Sequence, residues 1–166
     1  MLKGLFSAAR QTKRDDVELG RGVWRRAHDR FRRGLDRFHQ MLEGLEEAGA
    51  APGQSNDLAA GNYQALVIVA NGLAELLPVV RSIAAKAQAA GPSEAMEIPL
   101  GTGGYLNDVH RELSRAGNAL AAAAEAVALV RLGVGEGSGV ELKATIVYRH
   151  VQRAKDLLES GPHTGT

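Results

Sequence analysis

Four long segments of this chain place apolar residues three and four positions apart in alternation, and this spacing most constrains the fold. Such steps align side chains on one face of an α-helix, whereas a half-buried strand repeats every two residues. The first segment also carries Val17 upstream, and from Trp24 its steps run 4, 3, 4, 3, 4, 3 through the following residues: Trp24, His28, Phe31, Leu35, Phe38, Leu42 and Leu45. The pattern predicts an all-α protein.

The four segments predict helices over residues of about 16–48, 56–90, 104–132 and 140–159. Turn-forming residues mark their limits, with Gly91-Pro92 and Gly161-Pro162 after the second and fourth and a glycine-rich link at 133–139. Short links between long helices favour antiparallel neighbours. We therefore expect an elongated up-down-up-down four-helix bundle over residues 16–160, followed by a tail at 161–166.

The second segment has a wider apolar face than one bundle position needs. Five residues lie beside its main stripe: Val67, Ile68, Val69, Leu76 and Ile83. A four-helix bundle has no central helix that would bury such a face on all sides. The width predicts a homodimer, with ordinary core packing as the alternative.

Charge is divided unevenly along the chain, although the net charge is only +1. Residues 1–39 hold eleven of the twenty Lys and Arg, and residues 40–166 hold fourteen of the nineteen Asp and Glu. A protein polarised in this way can present a basic face to an anionic partner.

Four arginines of the first predicted helix lie on one line. At 100° per residue, they point roughly 180–240° away from Trp24, and we call them the arginine strip: Arg26, Arg30, Arg33 and Arg37. The strip is a candidate docking surface for an acidic protein or an anionic membrane surface. The alternative is a solvated face with local ion pairs, such as Asp29 with Arg33.

Residues 1–15 form a separate basic amphipathic segment. Leu2, Leu5, Phe6 and Ala9 share one side of a helix, and four cations accompany them: Lys3, Arg10, Lys13 and Arg14. A segment of this kind can lie in a membrane interface. Folding back on the bundle and fraying are the alternatives.

The sequence carries no pattern that predicts an enzyme, a metal site or a cofactor. It has no cysteine, no nucleophile elbow and no phosphate-binding Walker loop. It also lacks the repeated Glu-x-x-His pairs of di-iron bundles. No nucleic-acid-binding motif is present and no aromatic residue interrupts the arginine strip, so we do not expect nucleic acid as the partner.

Two short stretches resemble parts of histidine kinases. Residues 27–32, Ala-His-Asp-Arg-Phe-Arg, resemble a phosphoacceptor box, in which an acidic residue follows the reactive histidine. Residues 148–154 are similar to the start of a kinase ATP-binding helix, but Arg153 stands where that helix would carry a catalytic glutamate. The resemblance implies a phosphotransfer bundle with His28 as phosphoacceptor.

The longest apolar stretch, residues 65–80, contains Asn71, Glu75 and Pro78 and is short for a bilayer span. With no cysteine in the chain, this favours a cytoplasmic protein, at most peripheral at a membrane. The sequence thus predicts a non-enzymatic interaction protein that uses the arginine strip. Histidine phosphotransfer through His28, or small-molecule binding between the helices, are the alternatives.

Overall fold

The structure is a computed structural model that describes residues 2–49, 56–99 and 102–162. These residues form five α-helices and no strand, which confirms the predicted all-α class. The helices are α1 (Leu2–Leu19), α2 (Val23–Gly49), α3 (Asn56–Ala90), α4 (Tyr105–Arg131) and α5 (Gly137–Ser160), with a 3-10 turn at Thr102–Gly104 before α4.

The core lies where the predicted apolar stripes of α2, α3, α4 and α5 meet. All seven residues of the α2 stripe from Trp24 to Leu45 are buried, and the aromatic rings of Trp24, Phe31 and Phe38 are among its largest side chains. Helix α5 contributes smaller residues, such as Val140 and Val147. The 3-and-4 spacing therefore predicted the buried face of α2 correctly from Trp24 onward.

Among the four longer helices, each packs extensively against two of the others. Helix α2 contacts α3 and α4, and α5 contacts the same two helices from the other side. The start of α2 lies at the end of α3, because the Trp24 indole Nε1 donates a hydrogen bond to the Gly91 carbonyl at 3.0 Å. These two helices are therefore antiparallel.

Helices α2 and α4 run in the same direction. A methyl group added at Gly34 would lie 2.9 Å from Leu120, and one added at Gly44 would lie 2.7 Å from the Arg131 guanidinium, so positions advance together along both helices. Extensive packing between α3 and α4 does not occur among the described residues. The sequence-based expectation that each short link joins packed neighbours is therefore wrong for the link between α3 and α4.

Helix α2 begins later than the sequence predicts. Gly20 adopts φ 68°, a left-handed conformation that costs glycine little, and the chain turns there before α2 starts at Val23. Leu19 turns into the core, while Val17 is 84% exposed. The placement of Val17 in the core stripe was wrong because the break at Gly20 interrupts the helical phase.

Ser93 ties the link after α3 to the first turn of α2. Its buried hydroxyl accepts a hydrogen bond from the Val23 backbone N–H at 3.1 Å and donates to the Glu97 carbonyl at 2.7 Å. The Val23 N–H is one of the amides that have no partner within a helix. The hydrogen bond therefore satisfies the start of α2 from a distant part of the chain.

Helix α3 distributes its apolar residues unevenly around its circumference. By length and composition alone, its Asn62–Ala90 portion is the one candidate for a membrane span among the described helices, a test that core helices of soluble proteins also pass. Of the five residues that widen its face, Ile83 is buried, three are half-buried and Ile68 is 74% exposed. The most exposed line of α3 also carries polar residues, including Gln64, Glu75 and Lys86.

Candidate docking surface

The arginine strip lies on the solvent side of α2, as the sequence predicts for its helical phase. The α2 stripe that includes Phe31 and Phe38 is buried, and Arg26, Arg33 and Arg37 are exposed. Within the described part of the chain, these three guanidinium groups make no ion pair and no hydrogen bond. They are positive charges on a helix that is held in place by its opposite face.

Arg30 differs from the other members of the strip. Its Nη2 donates a hydrogen bond to the Asn118 side-chain oxygen on α4, and its aliphatic stem passes over Gly117 at ordinary contact distance. Arg30 thus connects α2 to α4. Its guanidinium is exposed but has fewer donors available than those of Arg26, Arg33 and Arg37.

Asp29, the carboxylate that the sequence predicts as a partner of Arg33, does not pair with the arginine strip. Asp29 accepts from Arg25 Nε at 2.9 Å and lies 3.0 Å from the Nδ1 of His28. Arg33 has no ion pair with it. The alternative reading, in which an Asp29–Arg33 pair neutralises the strip, therefore does not describe this structure.

Two other arginines, Arg81 and Arg25, each form ion pairs with more than one carboxylate. Arg81 Nη1 binds Asp15 at 2.7 Å and its Nη2 binds Glu18 at 2.8 Å, which joins α3 to α1. Arg25 adds a contact to Asp16 at 2.9 Å. The pKa values of both arginines are raised: burial acts to lower them, but the carboxylates outweigh it.

Asp15 is the most buried carboxylate of this cluster, with its side chain 4% exposed. Burial acts to raise its pKa, but hydrogen bonds from Arg81 and Gln11 and the nearby charge of Arg25 hold that pKa below its usual value. The group is therefore a carboxylate that anchors α1. This cluster could not be predicted from the sequence, because Arg81 is more than sixty positions away from Asp15 and Glu18.

His28, the candidate phosphoacceptor, is 3% exposed inside the α2 stripe. Its Nδ1 faces Asp29, and its ring lies among residues that form the core. A phosphoryl donor needs open access to an imidazole nitrogen, and this position does not offer it. The geometry therefore gives no support to phosphotransfer through His28.

A second ionic cluster joins α4 to α5. Glu112, 6% exposed, lies 2.6 Å from His150 Nδ1 and accepts from Arg115 at 2.8 Å. Burial acts to raise the pKa of Glu112, but these two partners hold it below its usual value. The pair of Glu112 and His150 was not predicted from the sequence. Its one sequence signal is that Glu112 directly precedes Leu113, a residue of the apolar stripe of α4.

A cavity of about 370 Å³ opens beside Glu112, between the start of α4 and the end of α5. Its wall mixes both signs of charge, with Asp108 and Asp156 near Arg111 and Arg153. A second depression, of about 420 Å³, lies between α3 and α5 and is lined by residues that include Ile83 and Leu158. Both are places where the small-molecule alternative could act. Within residues 2–49, 56–99 and 102–162, no three His, Asp or Glu side chains are grouped to hold a metal ion.

Comparison with known proteins finds no matching family model, no matching curated protein and no matching solved structure.

Proposed function

We propose that this chain is a non-enzymatic interaction protein that docks an acidic segment of a partner protein on the arginine strip. Helices α2 to α5 would serve as an up-down-up-down four-helix body that holds the strip in place, in the cytoplasm. The observation that carries the proposal is the exposure of Arg26, Arg33 and Arg37 without a partner in the described residues.

The positive charges of the strip repel one another, and no direct ion pair among the described residues neutralises Arg26, Arg33 or Arg37. Like charges three or four residues apart on a helix repel one another, and Arg33 and Arg37 are four apart. Several other arginines in the structure have carboxylate partners, as Arg25 and Arg81 show. Other exposed arginines also lack a partner, but Arg26, Arg33 and Arg37 share one line of α2, and that alignment is what an extended acidic segment can contact.

The geometry suits carboxylates. Arginine presents a planar set of donors that matches a carboxylate in two parallel hydrogen bonds. Arg26 and Arg37 are separated by about 16 Å along α2, at 1.5 Å per residue. An extended acidic segment of about five residues spans that distance.

Fluorescein-labelled poly-glutamate is a suitable probe, with binding followed by fluorescence anisotropy. We expect the native chain to bind it and binding to weaken as salt rises, because exposed charges are screened. The triple variant Arg26→Glu, Arg33→Glu and Arg37→Glu should lose binding. Arg30 is left unchanged because it connects α2 to α4.

The matched control reverses three other exposed arginines that have no partner among the described residues: Arg32, Arg149 and Arg153. Both triple variants change the net charge equally. Loss of binding in the strip variant alone supports the proposal. Equal loss in both variants would show an effect of net charge only, and would contradict it, as would tighter binding to duplex DNA than to poly-glutamate.

We also propose that the protein is a homodimer, because Ile68 is a large apolar side chain left exposed beside the half-buried Val67 and Val69.

A further inference from the structure

Helix α1 is anchored at one end only. Asp15 and Glu18 bind Arg81, and Leu19 is fully buried, so the last turn is held on the body. Every side chain from Lys3 to Arg14 is exposed. At 1.5 Å per residue, this exposed part of the helix is about 18 Å long.

The exposed side of α1 is apolar along one line. Three exposed residues fall within about 60° of one direction, and we call them the α1 apolar face: Leu5, Phe6 and Ala9. Leu5 is 70% and Phe6 is 63% exposed. Asp15, Glu18 and Leu19, which hold α1 on the body, point at least about 90° away from that direction. Asp16, which pairs with Arg25, lies about two helical turns beyond Ala9, and every side chain from Lys3 to Arg14 is exposed. The body therefore does not cover this face.

Three cations lie beside the α1 apolar face, and a fourth, Lys13, lies on the same side one turn after Ala9. Lys3, Arg10, Lys13 and Arg14 are exposed, and a depression of about 440 Å³ is lined by Phe6 together with Lys3, Arg10 and Arg14. Only Arg14 has an acidic neighbour, Glu18 at 3.8 Å, among the described residues. The Phe6 ring beside three cations matches a partner that has an apolar interior and anionic groups on its outer surface.

We propose that α1 docks the protein on an anionic lipid membrane, with the α1 apolar face in the interface and its cations against lipid phosphates and carboxylates. Helices of this composition lie in the plane of the bilayer surface, and their binding combines apolar burial with attraction to anionic lipid. The surface is separate from the arginine strip. A second protein with an acidic apolar groove is the competing occupant, which the test must exclude.

The experiment measures binding of the full chain to vesicles of phosphatidylcholine with roughly 30% phosphatidylserine, by flotation at low and high salt. Replacement of Leu5 and Phe6 by glutamine should reduce the partition coefficient by roughly tenfold or more, because it removes the inserted apolar surface. Replacement of Lys3, Arg10 and Lys13 by glutamine should cost roughly fivefold for each cation. Neutral vesicles should bind weakly.

The arginine-strip variant Arg26→Glu, Arg33→Glu and Arg37→Glu is the matched control. We expect it to bind these vesicles within about twofold of the native chain, since its charges lie on α2 and its α1 is intact. Helical content by circular dichroism confirms that each variant is folded.

Insertion is measured directly with Phe6→Trp and lipids brominated on the acyl chains. The native Trp24 is fully buried and should remain unquenched, whereas the new indole should be quenched on anionic vesicles. The proposal is overturned if the native chain stays off anionic vesicles, or if the indole at position 6 is unquenched. It is also overturned if the arginine-strip variant loses binding while the Leu5 and Phe6 variant keeps it.

Discussion

At the scale of single residues, Asp15 determines how α1 is held. Its carboxylate is buried, and it lies between two arginines from different helices, Arg81 on α3 and Arg25 on α2. Removal of one partner from a buried ion pair leaves the others uncompensated. We expect Asp15→Asn to lower the free energy of unfolding by about 2–3 kcal/mol, measured by urea denaturation at neutral pH.

The same residue predicts a pH dependence. Because folding holds the pKa of Asp15 below its ordinary value, the carboxylate stabilises the protein above that ordinary value. This contribution is lost as the pH falls through the lower folded-state pKa. The free energy of unfolding of the native chain should therefore fall more steeply below about pH 4 than that of Asp15→Asn.

Asp108→Asn is the control for both measurements. Asp108 is 46% exposed and pairs with Arg111 three residues later, so its removal should change stability by less than about 0.5 kcal/mol. If Asp108→Asn lowered the free energy of unfolding as much as Asp15→Asn does, the role of burial in this cluster would be contradicted. The same holds if the free energy of unfolding of the native chain and of Asp15→Asn fell in parallel as the pH is lowered.

Gly22 lies where the segment before α2 approaches Ser93 too closely to leave room for a side chain. A methyl group there would lie 2.2 Å from the Ser93 hydroxyl and 2.3 Å from the Ser93 carbonyl oxygen. Gly22→Ala should destabilise the protein by about 2 kcal/mol, because backbone cannot move aside as a flexible side chain can.

Gly139, at the start of α5, has no atom within 4 Å of such a methyl group, and Gly139→Ala should instead stabilise by about 0.5 kcal/mol. Thermal denaturation of the two variants compares them directly. An equal effect of both substitutions would show that the contact with Ser93 does not limit residue 22.

At the scale of helices, α1 divides into an exposed part and a part anchored on the body. Residues 3–14 contribute no buried side chain, whereas Asp15 and Leu19 are buried. Removal of residues 1–9, which leaves the Gln11–Asp15 hydrogen bond in place, should lower the free energy of unfolding by less than about 1 kcal/mol. Urea denaturation checks this, and a loss of several kcal/mol would mean that the start of α1 packs on the body.

The helix pattern shows which elements a sequence can predict. Buried stripes such as Trp24 to Leu45 follow from period alone, because one face of a long helix must meet the core. The break at Gly20 could not be predicted from the period, because a glycine inside a helical pattern can either end the helix or lie within it. After that turn, the Val23 N–H donates a hydrogen bond to Ser93, which lies seventy positions later in the chain.

At the scale of the whole molecule, the order of helices around the core was also beyond the sequence. Helix α2 packs on α3 and on α4 but α3 and α4 do not pack extensively on each other, although they are consecutive in the chain. The arginine strip was predictable in position because it depends on one helix alone. The clusters at Asp15 and Glu112 were not, because each joins residues from different helices.

The proposed homodimer makes a prediction at this scale. Light scattering after size exclusion should give twice the chain mass of 17.6 kDa for the native protein. Ile68→Lys should shift it to the monomer mass, because a charge replaces the exposed apolar side chain at the proposed contact. Gln64→Lys, on the same exposed line of α3, controls for charge, and a native monomer would contradict the proposal.

Three guanidinium groups of the arginine strip are proposed to bind an acidic partner. The most direct measurement of this binding is nuclear magnetic resonance of arginine side-chain N–H groups during titration with poly-glutamate. We predict that the signals of Arg26, Arg33 and Arg37 shift together, while those of Arg149 and Arg153 stay in place. Shifts confined to α5, or of equal size at every exposed arginine, would contradict the proposal.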